Sequence, residues 1–153
     1  MSTRVFALLV LFVSGVALGE TITVDATGHY VRINEPEFLE LVDDHELYPG
    51  YRRHISVTGK DGKAESHWCF GSNVMDGSTL EFGAGYCTAL DDDGDVYWTW
   101  FEVAKRGGFA WKVMGGTGKY KGATGGGTSR ASGSLPDGSA TLLIKGTIEL
   151  ADE

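Results

Sequence analysis

Four side chains able to do chemistry lie close together in the middle of this 153-residue chain: His67, Cys69, Cys87 and Glu102. They fall on segments in which apolar and polar residues alternate. Trp98, Trp100, Phe109 and Trp111 share those segments. A carboxylate facing such aromatics is desolvated, which raises its pKa and suits it to act as an acid or a base. An imidazole exchanges protons near neutral pH without that help. Two placements stay open for Glu102, one inside among the aromatics and one at a rim, solvated or paired with Lys105 or Arg106. His67 has the same pair of readings, catalytic or simply hydrogen-bonded near a strand end.

Other chemistries lack the residues they need. Gly115 to Gly127 is rich in glycine and includes Gly118-Lys119, but no Gly lies five residues earlier and Tyr120 follows the lysine, so the phosphate-loop pattern fails. Asp91 to Asp95 resembles a calcium loop only in charge. With Gly94 at the invariant glycine, Ala89 takes the first ligand position and Trp100 the place of the bidentate Glu. His29, His45, His54 and His67 have no paired ligand spacing, and no Gly-x-Ser-x-Gly elbow occurs. No metal and no cofactor are expected.

The elements that must position these residues are strands. The chain has 23 Gly but only 3 Pro, and its short alternating runs are separated by Gly, Asp and Ser clusters, the pattern of an antiparallel all-β domain. Strands are expected over residues 21–25, 29–33, 53–58, 65–72, 83–91, 95–103, 109–114, 126–131 and 140–150. Residues 35–47 carry an acidic face that suits a helical turn or two on the surface. Asp93-Gly94 reads as a two-residue hairpin tip, which sets Cys87 opposite Trp100 and Ala89 opposite Trp98. A turn at Arg106-Gly107 sets Glu102 opposite Trp111. A hairpin centred near Ser78 sets Cys69 opposite Cys87. One face then gathers Gly85, Cys87, Ala89, Trp98, Trp100, Glu102, Phe109, Trp111 and Val113. Large residues against small ones fill or line a tapering barrel, so this face is read as the interior.

The N-terminus places Arg4 before an apolar run from Val5 to Leu18, with Ala17 and Gly19 at the positions a signal peptidase reads. Residues 1–19 are expected to be a signal peptide and residues 20–153 a single domain, secreted or periplasmic. The run is shorter than the ~20 apolar residues a spanning helix needs. Cleavage takes Arg4, so the 13 Lys and Arg become 12 against 21 Asp and Glu, a formal charge of −9. Such a chain repels phosphate backbones and anionic lipid, which argues against nucleic-acid partners and, after cleavage, against membranes. Export also puts Cys69 and Cys87 where disulfides persist, and one bond between them is expected.

Gly115-Gly116-Thr117-Gly118-Lys119-Tyr120-Lys121-Gly122-Ala123-Thr124-Gly125, between the strand 109–114 and a last strand with Leu143-Ile144-Lys145-Gly146, resembles the second half of allene oxide cyclase-like β-barrels. Dirigent proteins are similar in fold. The resemblance spans roughly residues 65–150. It implies a single eight-stranded antiparallel barrel of calycin type with an apolar cavity, and enzymes that cyclise or steer apolar substrates without a cofactor. Cys69 stands where the plant cyclases place a cavity cysteine, and Asn34-Glu35-Pro36 resembles their acidic, Asn and Pro residues in composition.

Taken together, the residues and the resemblance point to an exported barrel holding a small apolar molecule among Trp98, Trp100, Phe109 and Trp111. A cofactor-free cyclase or isomerase using Glu102 or His67 is the enzymatic alternative. In a third reading the lumen is filled, and an outer face with Tyr97, Phe101 and Met114 makes a homo-oligomer.

Overall fold

In a computed structural model, described here for residues 19–35, 37–104 and 108–152, the chain is almost entirely β. The expected signal peptide and the Arg106-Gly107 turn lie outside the described residues, except Gly19. Among the described residues nine strands occur in chain order: β1 (Thr21–Arg32), β2 (Leu39–Glu40), β3 (His45–Gly59), β4 (Ala64–Asp76), β5 (Thr79–Leu90), β6 (Val96–Ala104), β7 (Gly108–Gly116), β8 (Thr124–Ser134) and β9 (Ala140–Glu149). Every pairing is antiparallel. The order β1-β9-β8-β7-β6-β5-β4-β3 returns to β1 through pairs from Ala26 with Gly59 to Arg32 with Arg53, which closes an eight-stranded barrel. Among the described residues closure leaves no long edge unpaired. The two-residue β2 is an extra rung on β3, with Leu39 opposite Leu47.

Two expected elements differ. The segments 21–25 and 29–33 are one strand, β1, because Gly28 between them has neighbours on both sides, Val57 and Leu142. A Cβ there would meet the side chain of Ile55 at 2.9 Å, so glycine permits close approach and does not break the strand. The expected helical turn over 35–47 is instead extended chain reversing at Asp43 and Asp44, both at positive φ, with Leu41 N donating to His45 O. Its acidic residues are solvated, and pairing with β3 supplies hydrogen bonds that a short helix would leave unmade at its ends.

The β4–β5 ladder has the expected register, with Cys69 directly opposite Cys87 and joined to it by a disulfide. The β5–β6 hairpin is slipped by one residue: Cys87 faces Thr99 and Ala89 faces Tyr97. Its loop has three residues, Asp92 to Gly94, because Asp91 and Asp95 still pair through Asp91 N and Asp95 O. Asp91 Oδ1 accepts hydrogen bonds from Asp93 N and Asp95 N, and Gly94 takes the left-handed conformation at φ 88°. That is the longer hairpin loop with a glycine bulge, and one extra residue turns the whole of β6 over.

The interior of β6 is therefore Tyr97, Thr99, Phe101 and Val103, all buried. Trp98, Trp100 and Glu102 point outward. Inside, large residues still oppose small ones. Trp111 lies opposite Gly127, which is opposite Gly146, and a Cβ on either glycine would stand 2.7 or 2.5 Å from the indole. Likewise a Cβ on Gly85 would crowd the Phe101 ring at 2.7 Å. The glycines are the slots into which the lumenal aromatics lie.

Candidate functional site

The lumen holds a cavity of about 690 Å³. Its walls include Val24, Ile55, Val57, Phe109, Leu142 and Ile144, and the disulfide forms part of one side. At one end the rim comprises Lys60 and Asp61 of the β3–β4 turn and Asp92 of the β5–β6 loop, all exposed, so the cavity reaches the surface there. Toward the other end Tyr48 is buried in the core and stacked on Phe38, ring centres 5.1 Å apart.

Near the open end the apolar wall gives way to a hydrogen-bonded cluster. Glu65 and His67 are two apart on β4, so both point inward. Glu65 Oε2 lies 2.7 Å from His67 Nε2 and accepts the Tyr97 hydroxyl at 2.8 Å. Tyr97 reaches across β5 because the residue between it and His67 is only Ala89, itself buried. Burial opposes ionisation of Glu65, but donation from His67, electrostatic attraction to it and donation from Tyr97 outweigh it and hold its pKa below the ordinary glutamate value. Burial, reinforced by the Glu65 carboxylate, pushes the Tyr97 hydroxyl far above its usual value, so it stays protonated.

A second cluster closes the rim beside it. The turn Gly118–Tyr120 buries Tyr120 against Tyr97, ring centres 4.7 Å apart, and aims Lys119 at the hairpin tip. Lys119 Nζ lies 2.6 Å from Asp91 Oδ2 and also pairs with Asp93. Burial disfavours charge on both Lys119 and Asp91, yet their contact prevails: the lysine is raised and the aspartate lowered. A Cβ on Gly118, at φ 49°, would overlap the Asp95 carboxylate, so only glycine lets this turn lie so close. The glycine-rich stretch that invited comparison with a phosphate loop is a clamp on the barrel rim.

Of the residues singled out in the sequence, the lumen collects His67, Cys69, Cys87, Phe109 and Trp111. It does not collect Trp98, Trp100 or Glu102, which the one-residue slip places on the outside; Trp98 is 40% exposed. Tyr97 and Phe101, assigned above to an outer face, are inside, while Met114 is outside and 51% exposed. Asn34 ties its connection to β3, accepting from Arg52 N at 2.6 Å and donating to Gly50 O at 3.1 Å. Pro36 lies outside the described residues. Sequence reasoning missed Glu65, Tyr97, Tyr120 and Lys119. The i, i+2 spacing of Glu65 and His67 on one strand was the available signal for the first.

Among the described residues the acidic group Asp91, Asp92 and Asp93 has ligand atoms close enough to share a cation. Lys119 already neutralises two of its members. No helix of the described residues is long and apolar enough to cross a membrane.

The closed eight-stranded barrel with an open lumen is the fold of dirigent-like barrels. Among solved structures the chain is similar to the pterocarpan synthase dirigent protein PsPTS1, with a TM-score of 0.64 and 13% identity over 89% of this chain and 99% of that one. It is also similar to the pterocarpan synthase dirigent protein GePTS1, with a TM-score of 0.62 and 12% identity over 96% of this chain and 100% of that one. At these identities the likeness is one of fold. No protein-family model matches the sequence, and no curated protein matches it.

Proposed function

We propose that this protein is an exported dirigent-like barrel that binds a small, largely apolar molecule in its lumen. The observation that carries the reading is the cavity of about 690 Å³, left open after Trp111 and Phe101 have lain down in their glycine slots. Cavities of several hundred Å³ with apolar walls and a few convergent polar groups are what small-molecule sites look like. An occupant burying on the order of 300 Å² of apolar surface gains about 7 kcal/mol before ordering costs. Its polar end belongs near Glu65 and His67, its apolar body near Phe109 and Trp111. The apolar N-terminal run and the disulfide support export.

Native mass spectrometry of the protein recovered from its producing cells is the test. A small-molecule adduct that is absent from a Leu142→Trp variant supports lumenal binding. An empty protein that also takes up no apolar compound in solution contradicts it. N-terminal sequencing of the same sample checks processing, with Glu20 expected first.

One further observation favours self-association as well. The outer faces of β4, β5 and β6 present Trp68, Phe70, Tyr86 and Trp98, each 40 to 57% exposed. Phe70 and Tyr86 are in ring contact, and large exposed aromatics grouped on one sheet face are a mark of interaction surfaces. Sedimentation velocity of the wild type and a Phe70→Asp, Trp98→Asp variant tests it: concentration-dependent association lost in the variant is expected, and a wild-type monomer throughout would remove the reading.

A further inference from the structure

We infer that the Glu65, His67 and Tyr97 cluster is an acid–base site that moves a proton on an enolisable carbonyl compound held in the lumen, with His67 Nδ1 as the exchanging atom. The inference rests on the lumenal-binding reading and adds a chemistry to it.

The assignment of the atom follows from donor arithmetic. Glu65 Oε2 is approached by His67 Nε2 and by the Tyr97 hydroxyl, at 2.7 and 2.8 Å. An ionised carboxylate has no proton to give, so both partners donate to it. A neutral imidazole carries one N–H; with that proton on Nε2, the lone pair is on Nδ1. Tyr97 is committed to Glu65 and edge-on to the imidazole, ring centres 5.9 Å apart, so the ring is held as well as the tautomer. When Nδ1 takes a proton, the resulting imidazolium rests against the Glu65 carboxylate. This is the arrangement in which a carboxylate fixes a histidine and stabilises its charged form. Tyr120, Asp91 and Lys119 stand behind Tyr97 and are engaged with one another, and Asp25, Lys60, Asp61 and Lys63 line the same cavity.

The class of substrate follows from the surroundings. His67 and Glu65 are partly buried, with side-chain exposures of 12% and 25%, and line the same cavity as Val24, Ile55 and Phe109. A molecule that fits is mostly hydrocarbon. It must also have a C–H bond acid enough for imidazole, and a neighbouring carbonyl supplies that. The C–H bond breaks, its proton goes to Nδ1, and the electron pair moves to the carbonyl oxygen as an enolate. The enolate electrons then return to form a new C–H bond, at the same carbon or a conjugated one, with the proton from Nδ1. Nothing is oxidised or reduced, and the enzyme ends as it began. His67 is the catalytic residue in this step; Glu65 and Tyr97 are positioning residues.

Deuterium incorporation from heavy water into cyclohexanone, β-tetralone and a steroid ketone, followed by proton NMR, reads the step without knowing the natural substrate. Saturable movement of the Trp111 resonance in fluorotryptophan-labelled protein with the same compounds reads binding separately. The wild type is expected to bind at least one of them and to accelerate its exchange. At saturating ketone, His67→Asn should lose on the order of a hundredfold or more in exchange rate. Glu65→Gln, which keeps an acceptor oxygen but not the charge beneath the imidazolium, should lower the exchange rate at saturating ketone while leaving ketone affinity unchanged. A purely structural role for Glu65 would weaken binding along with exchange. Binding with exchange no faster than in buffer, or exchange undiminished in His67→Asn, overturns the acid–base inference and leaves lumenal binding standing. Failure of all three ketones to bind counts against the binding reading itself, and the inference falls with it.

Discussion

The two ladders that flank β5 are held in register by different means. On one side a covalent bond between directly opposed residues, Cys69 and Cys87, pins β4 to β5 near the middle of the ladder. On the other side β6 has no such bond, and its register is set at the hairpin tip by one carboxylate, Asp91, which accepts two backbone N–H bonds and pairs with Lys119. Hydrophobicity does not choose between registers there. One face of β6 offers Tyr97, Phe101 and Val103, the other Trp98 and Trp100. The contrast teaches that where both faces of a strand are apolar, loop geometry decides which half becomes the lumen.

Removing the pins one at a time measures this. The disulfide closes a loop between positions 18 apart, and its loss in a Cys69→Ala, Cys87→Ala variant should cost about 3 kcal/mol in urea unfolding. Asp91→Ala should cost about 2 kcal/mol, because two charge-assisted bonds and a largely buried ion-pair partner go together. A loss under about 0.5 kcal/mol, the range of ordinary surface changes, would mean that the loop holds its shape without the carboxylate.

Acid should act on the same tip. Asp91 and Glu65 both have folded-state pKa values below their ordinary 3.8 and 4.5, so the unfolded chain binds protons more readily than the folded one. Their contribution is complete above about pH 5 and is lost as pH falls through the folded values. Melting temperature should drop over that window, less steeply in Asp91→Asn and Glu65→Gln. Equal slopes in all three proteins would contradict the assignment.

The smallest effect is expected at Trp111. Its indole N–H is buried with no hydrogen-bond partner among the described residues. Trp111→Phe removes an unmet donor along with some packing against Gly127 and Gly146, so stability should change by less than about 1 kcal/mol. A larger loss would show that the full indole is needed to fill its slot.

Much of the barrel was legible in the chain because its strands alternate, its turns carry glycine and aspartate, and the cysteines share a ladder. β6, β7 and β9 end within two residues of where their patterns put them, while β4 and β5 each run four residues further into their shared hairpin. What misled was local. Asp91 to Asp95 contains an Asp-Gly pair suited to a two-residue turn, but Asp91 reaches forward to Asp93 N and Asp95 N and makes the loop one residue longer. That single residue moved Trp98, Trp100 and Glu102 out of the lumen. At the candidate site His67 was legible as a lumenal imidazole, whereas Tyr97 depends on the slipped register and Lys119 on a turn that folds back over the rim. Contacts between strands not adjacent in sequence leave no periodic trace to read.

On the proposed function the lumen, and not the outer aromatic face, receives a small apolar molecule. The four tryptophans divide on that point: Trp111 lines the lumen, while Trp68, Trp98 and Trp100 lie on the outside. Fluorine NMR of fluorotryptophan-labelled protein titrated with β-tetralone distinguishes the two. The Trp111 resonance alone should move, and saturate. Movement of the Trp68, Trp98 or Trp100 resonances with Trp111 unchanged would contradict it.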